Sequence, residues 1–267
     1  TAGAGGTVVF EEGNSIRGRY INIGRSNPIA LNRTIVNEGV IAADGDGFGV
    51  VISEFETFAN HGTLEAVNGG RLFVGGDPFL RTFTSLVDGH LVDGTYRVGT
   101  GSLLNLGSDI LVNSAVIEIL GEDAVLDGIG ALHTNHGFLL MSDDSEIDLI
   151  GDLAFGSTSI FEIAIGGVGA SAKVPNMSSI GSMTLGGTLR FDFSGYSASS
   201  IHTPLEFAFL SANHIQGEFQ QIFIEGIDSS LVSVDAAAGS VTIVPTPAAF
   251  IAVCVAGLCC TRRRRRS

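Results

Sequence analysis

A short polar motif recurs along the first half of the chain and constrains its fold more than any other feature. Each copy centres on Asn or Asp, followed by one variable residue, then Gly or Ala, with mostly apolar residues on both sides. The copies are residues 35–41 (IVNEGVI), 58–64 (FANHGTL), 111–117 (LVNSAVI), 133–139 (HTNHGFL) and, more weakly, 86–91 (LVDGHL). The central residues lie at 37, 60, 88, 113 and 135, so the spacings are 23, 28, 25 and 22. Internal periods of this size are typical of solenoids.

Within each repeat the pattern is strand, turn, strand. Residues 64–67 lead through Asn68-Gly69-Gly70 into residues 71–74, and residues 116–120 lead through a Gly-Glu-Asp turn into residues 124–126. Short β-branched and apolar runs broken by Gly, Asn and Asp are strand and turn signals. No helical apolar period extends over ten residues before Pro245. The sequence therefore predicts an all-β fold, a parallel β-helix (β-solenoid), with an antiparallel sandwich as the alternative.

In a parallel β-helix, each coil would place its polar turn above the turn of the preceding coil. Stacked Asn side chains can then hydrogen-bond along the axis, and the adjacent Gly is expected to supply a positive φ at the corner. We therefore interpret four asparagines as structural turn residues: Asn37, Asn60, Asn113 and Asn135.

The pattern of motifs in the sequence changes near Gly151. We predict repeats over residues 1–151 and terminal β coils or a cap over residues 152–244, because a solenoid needs atypical ends that cover its last coil. The Asn-x-Gly motif is absent from this second region, and residues 185–188 (LGGT) fit a two-residue hairpin turn. Residues 245–267 form a separate tail.

The net charge of the chain limits the classes of partner that its body can bind. The chain carries −14 overall. Five of its 14 basic residues are consecutive arginines at the C-terminus, so nine remain against 28 acidic residues, or −19. Such a surface repels nucleic acid and anionic lipid. All three cysteines, Cys254, Cys259 and Cys260, lie in the tail, so the body relies on backbone pairing and apolar packing rather than disulfides.

The tail has three parts, each with a physical role. Residues 244–247 (VPTP) end the preceding structure because proline cannot continue a helix or a central strand. Residues 248–260 are an uncharged apolar run that can enter lipid as a helix. The final basic cluster stays on the cytoplasmic side of a bilayer and leaves the body outside: Arg262, Arg263, Arg264, Arg265 and Arg266. A permanent transmembrane helix needs about 20 apolar residues, so this run suits a transient anchor.

This layout resembles the PEP-CTERM sorting signal, which is handled by the membrane protease-transpeptidase exosortase. The sorting motif would be Val244, Pro245, Thr246 and Pro247, with Thr246 in place of the family's Glu. Residues 95–140 and 182–191 resemble the β-helical, autotransporter-like repeats and closing segment of proteins with such tails. The resemblance implies an exosortase-type processing partner, transient residence in the inner membrane, and a final location on the cell envelope surface or outside the cell. It also implies a secretory signal upstream, so we expect the chain to be a mature form or a fragment.

Several acidic residues and histidines are candidates for metal binding. Residues 44–47 (DGDG) resemble the start of a calcium loop but lack the further acids at the required offsets, which favours a surface turn. Asp144, Glu146 and Asp148 share a face if they are extended, and we interpret that face as solvated. His61, His90, His133 and His136 follow no metal-binding spacing, so we interpret them as surface residues of the repeats. We therefore predict no cofactor, with Ca²⁺ as a weak alternative.

These observations favour a non-enzymatic exported protein with a structural or adhesive function, secreted or held at the cell surface, contacting extracellular polysaccharide and not nucleic acid. The alternative is a polysaccharide-degrading β-helix enzyme, a lyase or a hydrolase, for which no spacing of acids singles out a catalytic pair. A further alternative keeps the tail uncut and tethers the protein to the membrane.

Overall fold

The chain folds into short β-strands whose pairing is mainly parallel. The computed structural model describes residues 6–24, 33–47, 49–53, 56–75, 82–168, 171–197 and 203–244. Its two short 3-10 turns are Ile129–Ala131 and Ser229–Leu231. No helix in these ranges is long and apolar enough to cross a bilayer. The fold is all-β with parallel sheets, an arrangement consistent with a β-helix-like molecule.

The largest sheet contains nine of the described strands, all paired in parallel. In spatial order they are β2 (Ser15–Gly18), β5 (Val40–Asp44), β8 (Thr63–Val67), β13 (Thr95–Gly99), β16 (Val116–Leu120), β19 (Phe138–Ser142), β22 (Ile160–Ala164), β26 (Thr188–Asp192) and β30 (Gln221–Glu225).

Most of the remaining strands fall into two groups. Along the chain, one group comes before a strand of the nine-stranded sheet and the other comes after it. Before it in each turn come β1 (Gly6–Phe10), β4 (Arg33–Asn37), β7 (Thr57–Asn60) and β10 (Thr82–Phe83), then β11 (Leu86–Val87), β12 (His90–Leu91), β15 (Val112–Asn113), β18 (Thr134–Asn135), β20 (Glu146–Leu149), β21 (Leu153–Phe155), β25 (Asn176–Leu185) and β29 (Leu210–Gly217). After it, the five-stranded sheet contains β3 (Tyr20–Ile23), β6 (Gly49–Ile52), β9 (Arg71–Val74), β14 (Leu103–Asn105) and β17 (Val125–Asp127).

The core lies between these sheets as columns of equivalent residues. Because side chains alternate along a strand and neighbouring strands are in register, every second residue of each strand joins an inward column. One column of the nine-stranded sheet is fully buried, with about 1.5–3 kcal/mol expected from each large apolar side chain. It consists of Ile41, Leu64, Tyr96, Ile117, Leu139, Phe161 and Leu189.

Parallel pairing excludes the antiparallel sandwich, and it also corrects a local prediction. The predicted hairpin over residues 185–188 is wrong, because the strands on its two sides do not pair with each other. β26 pairs with β22 and β30, whereas β25 pairs with β20, β21 and β29. Gly186 and Gly187 therefore form a corner between two sheets. Two glycines signal a tight turn but do not specify which strands the turn joins.

Antiparallel pairing is concentrated in short additions towards the C-terminus. β23 (Gly166–Val168) and β24 (Ser171–Lys173) form a hairpin beside β27 (Tyr196–Ser197), and β32 (Ser240–Ile243) lies between β28 (Leu205–Ala208) and β31 (Val232–Asp235). The nine-stranded sheet continues across residue 151, and the boundary predicted there stays a prediction. The predicted tail from Pro245 onwards, with its apolar helix and Arg262–Arg266, lies outside the described residues.

Candidate functional site

The four asparagines of the repeat motif are buried at one corner of the fold. Asn37 and Asn60 are in register on adjacent strands, as are Asn113 and Asn135, and all four have no exposed surface. Within each pair, the side-chain amide of the first Asn donates to the side-chain carbonyl of the second over 2.7 Å. Each pair therefore ties two successive turns of the chain together, with a direction that runs from the earlier to the later turn.

The fifth copy of the motif does not take part. Asp88, predicted as a weak member of the series, sits at φ 51° in the tight turn of the antiparallel hairpin β11–β12, and the residue in register with Asn113 is Leu91. In this turn of the chain, Ser85 replaces the amide: its hydroxyl accepts from the Asn60 backbone N–H over 2.8 Å and donates to the Asn60 backbone carbonyl over 3.1 Å. The sequence placed residues 86–91 in the repeat series because a polar residue and a Gly stand between apolar residues there, as they do in the other copies.

A second buried polar group near this corner is Tyr96, which sequence reasoning did not identify. Its ring occupies the fully buried column, and its hydroxyl lies near Asn60 and Ser85. Within the described residues that hydroxyl is buried and makes no hydrogen bond of good geometry. Burial raises the pKa of Tyr96 well above its usual range. In the sequence, Tyr96 looks like any other core aromatic residue, and nothing indicates that its hydroxyl is buried beside the polar corner.

The glycine that stands two residues after three of the four asparagines serves close approach rather than an unusual φ. Gly39, Gly62 and Gly137 are not among the positive-φ residues, so the predicted reason for these glycines is wrong. A Cβ on Gly62 would lie 2.2 Å from the Gly39 carbonyl oxygen, and one on Gly137 would lie 2.2 Å from the Ala115 carbonyl oxygen. The corner backbones of successive turns stack too closely for a side chain at these positions.

A column of charged side chains runs along the outward face of the nine-stranded sheet. Arg17 reaches past Ala42 to pair with Glu65 at 3.1 Å. Arg97 lies between Glu65 and Glu118, donates a hydrogen bond to Glu118 and forms a longer ion pair with Glu65 at 4.0 Å. The charges therefore alternate in sign along the sheet, although Glu65 keeps only 9% of its side chain exposed. These residues are far apart in sequence, so only the strand register could reveal the column.

The same column continues beyond Leu140 with Glu162 and Arg190. Arg190 pairs with Glu162 at 3.1 Å and with Glu225 at 3.0 Å. Burial raises the pKa of Glu162 despite the opposing effect of Arg190. Glu162 also lines a groove of about 240 Å³ together with Asp143 and Asp192.

The predicted acidic cluster divides between a strand and a turn. Glu146 and Asp148 are exposed on the outward face of β20, where Ser178 donates to Asp148 over 2.5 Å. Asp144 lies before the strand at φ 63° and accepts from the Val174 backbone N–H over 3.0 Å. The extended face predicted for all three residues therefore holds for two, because Asp144 adopts a left-handed turn conformation.

The remaining candidates for metal binding have separate partners. Asp44 accepts from Asn68 over 2.8 Å, His90 contacts the Ser114 hydroxyl at 2.9 Å, and His61 bonds to Asp93 at 2.5 Å. The hydrogen bond from His61 lowers the pKa of Asp93. In the part of the chain that the structure describes, no group of three or more His, Cys, Asp or Glu side chains is arranged to hold a metal ion.

A second groove lies on the outward face of the five-stranded sheet. Phe73, Asn105 and Asp127 are in register on β9, β14 and β17, and with Ser108 and Asp109 they line a cavity of about 530 Å³. Asn105 donates to the Asp127 carboxylate, and its own carbonyl accepts from the Gly107 N–H over 2.7 Å. This groove could not be recognised from the sequence, because its residues come from three different turns of the chain.

Of the predicted sorting motif, only Val244 is described. It is exposed and follows β32, and its N–H donates to the Leu231 carbonyl over 2.7 Å. Pro245, Thr246 and Pro247 lie outside the described residues. The comparisons with known proteins add no identity: the chain matches no family model, no curated protein and no solved structure.

Proposed function

We propose that this protein is an exported, non-enzymatic β-solenoid that acts as a structural or adhesive element at the cell surface or in the extracellular matrix. The observation that carries this proposal is the in-register stacking of nine parallel strands, whose outward face bears ion-paired side chains of both signs. Stacked repeats create long, regular surfaces suited to extended partners. The net acidity of the body directs it towards glycans rather than nucleic acid.

The proposed export and sorting of the protein depend on its C-terminal tail. We propose that the apolar run and the arginine cluster hold a precursor in the inner membrane, and that an exosortase-type enzyme cleaves near Val244–Pro247. Residues 203–244 support a terminal cap in this scheme, because the antiparallel strands β28, β32 and β31 add apolar side chains at the end of the parallel stack. Mass spectrometry of the C-terminus from native cells tests the scheme. An intact Arg262–Arg266 end on the mature protein would favour the uncut, membrane-tethered alternative.

The adhesive function is tested with a glycan array and a cell-aggregation assay, each run with and without Ca²⁺. We expect binding to extracellular polysaccharide and increased aggregation. A Ca²⁺ requirement would mean that the cation bridges the acidic protein and an acidic glycan. Blank results in both assays, under both conditions, would contradict the proposal.

A polysaccharide hydrolase is the second candidate, and the groove around Glu162 favours it. A glycosidase needs one carboxylic acid that stays protonated and a second carboxylate nearby. Burial raises the pKa of Glu162, while Asp192 is held by the Ser194 N–H at 2.8 Å and hydroxyl at 3.0 Å. Incubation with neutral and uronate-containing glycans tests this candidate. New reducing ends that disappear in both Glu162→Gln and Asp192→Asn would establish an enzyme, whereas unchanged glycans exclude this reaction for the substrates tested.

A further inference from the structure

The groove on the five-stranded sheet combines one aromatic ring with several hydrogen-bonding groups. Phe73 is half-buried at the middle of the sheet, and Asn105 and Asp127 continue its row on the next two strands, each about 4.8 Å further on. Ser108 and Asp109 also line the groove. The volume of about 530 Å³ falls in the range of small-ligand sites.

The polar groups of this groove are already oriented. Asn105 is held on both sides, because its amide donates to Asp127 and its carbonyl accepts from the Gly107 N–H. A carboxylate has acceptor sites on both oxygens, so Asp127 keeps acceptor capacity after that bond. A ligand with hydroxyl donors can therefore bind without reordering these side chains, which reduces the entropic cost of binding.

The charges in the lining select among ligands of this kind. Asp109 and Asp127 are both acidic, and within the described residues the lining contains no Lys, Arg or His. A polyanionic chain would be repelled there, since like charges brought together oppose association. A pyranose ring without charge has a C–H face that packs on an aromatic ring and a rim of hydroxyl groups for Asn105, Ser108 and Asp127.

We propose that this groove binds a short segment of a neutral polysaccharide, with Phe73 under one sugar ring and Asp127 accepting from its hydroxyls. The inference rests on the proposed glycan-binding function and deepens it, because it assigns the site and excludes uronate-rich chains as its ligand. Val51 in the preceding turn is in register with Phe73, and its apolar side chain extends the surface on that side.

The test measures binding of the full 267-residue chain, kept in mild detergent, to a soluble neutral glucan and to polygalacturonate by titration calorimetry. Phe73→Ala and Asp127→Asn remove the ring and the carboxylate. Phe73→Tyr is the conservative variant, since it keeps the ring. Phe223→Ala is the matched control, because that phenylalanine is 47% exposed on the nine-stranded sheet, away from the groove.

We expect the wild-type chain to prefer the neutral glucan, and Phe73→Ala to weaken that binding by about tenfold or more, as loss of a central aromatic contact does. Asp127→Asn should weaken it less, and Phe73→Tyr and Phe223→Ala should bind as wild type. Urea unfolding of each variant separates lost binding from lost folding.

The outcomes distinguish the groove from the broader function. If the chain binds glycans but Phe73→Ala and Asp127→Asn bind equally well while folded, the groove assignment is overturned and the proposed function stands. A preference for polygalacturonate overturns the assignment to neutral chains. No binding to any glycan, with no cell aggregation, overturns both.

Discussion

At the scale of single residues, the asparagine pairs show how a polar side chain can stabilise a buried corner. A buried amide without partners costs about 1–3 kcal/mol, whereas a satisfied one contributes modestly and fixes the alignment of its neighbours. Asn113 is bonded to Asn135, and its carbonyl also accepts from the Ala115 N–H over 3.0 Å. The repeat motif therefore encodes register: an alignment shifted by one residue would leave both amides unpaired.

We predict that Asn135→Ala lowers the free energy of unfolding by about 1–3 kcal/mol, because it leaves the Asn113 amide buried without its partner. In a double-mutant cycle with Asn113→Ala, the coupling energy should be about 0.5 kcal/mol or more. Urea unfolding measures each term. Asn213→Ala removes an exposed amide and serves as the control. Strict additivity of the two buried substitutions would show that the pair does not act as a unit.

For Tyr96 we expect that removing the polar group does not lower the free energy of unfolding. Because its buried hydroxyl makes no good hydrogen bond in the described structure, Tyr96→Phe removes a desolvated polar atom while keeping the ring. We predict an unchanged or higher free energy of unfolding, measured by the same urea titration. A loss of more than about 1 kcal/mol would mean that Asn60 or Ser85 bonds to this hydroxyl in solution.

At the scale of elements, the corners and the outward columns have different determinants. Corners depend on small residues, because adjacent turns of the chain approach closely there. Outward columns depend on side chains that alternate in charge across strands, and opposite charges on neighbouring strands stabilise the pairing. Both features repeat from turn to turn, but only the corner leaves a periodic trace in the sequence.

Gly62→Ala tests the corner. We predict a loss of about 1–3 kcal/mol or more, because the new Cβ would lie 2.2 Å from the Gly39 carbonyl oxygen and the stacked backbones would have to separate. Thermal or urea unfolding measures the loss. Gly6→Ala is the matched control, since a Cβ there meets nothing within 4 Å. Equal stability of the two variants would contradict the close-approach explanation.

Glu162 gives the charged column a pH dependence. Its pKa is raised in the folded protein, mainly by burial, so the folded state holds this proton more tightly than the unfolded state. Its contribution to stability is therefore present below the unfolded pKa and is lost as pH rises through the folded pKa. We predict that Glu162→Gln gains stability relative to wild type as pH is raised from 4 to about 7.

Urea midpoints at several pH values measure that difference. Glu206→Gln, which removes an exposed carboxylate of β28, controls for the loss of one negative charge. A stability difference between Glu162→Gln and wild type that does not change with pH would contradict the prediction.

At the scale of the whole molecule, order is expected to fall towards the first turn of the chain. β1, β2 and β3 each pair on one side within the described residues, and Val8 is 47% exposed while the next residue in its column, Ile35, is 4% exposed. Strands with few buried contacts open with a lower free energy than central ones.

Hydrogen exchange tests this gradient. We predict that amides of β1 and β2 exchange well before those of β13 and β16, which are bonded on both sides. Mass spectrometry of peptic fragments resolves these segments. Equal protection along the chain would mean that the described residues open as one cooperative unit instead of turn by turn.

Much of the architecture was accessible from the sequence because it repeats. The spacing of Asn37, Asn60, Asn113 and Asn135, with short apolar runs between turns, was enough to predict an all-β chain with parallel strands. The same reasoning failed where different structures have similar local sequences. Asp88-Gly89 resembles the motif but forms a hairpin, and Gly186-Gly187 resembles a hairpin turn but forms a corner. Dipeptides specify a backbone conformation, whereas their pairing depends on the neighbouring turns.

Periodicity and composition, which act locally or additively, determined the strands, the polar corner and the acidity of the body. Only the tertiary structure decided which residues meet across turns: the Glu65–Arg97–Glu118 column, the buried hydroxyl of Tyr96, and the groove formed by Phe73, Asn105 and Asp127. Most of these contacts join residues 20 or more positions apart. A turn whose length varies shifts every later residue relative to the one below it. The register that aligns them is set by packing between turns, which no single stretch of sequence contains.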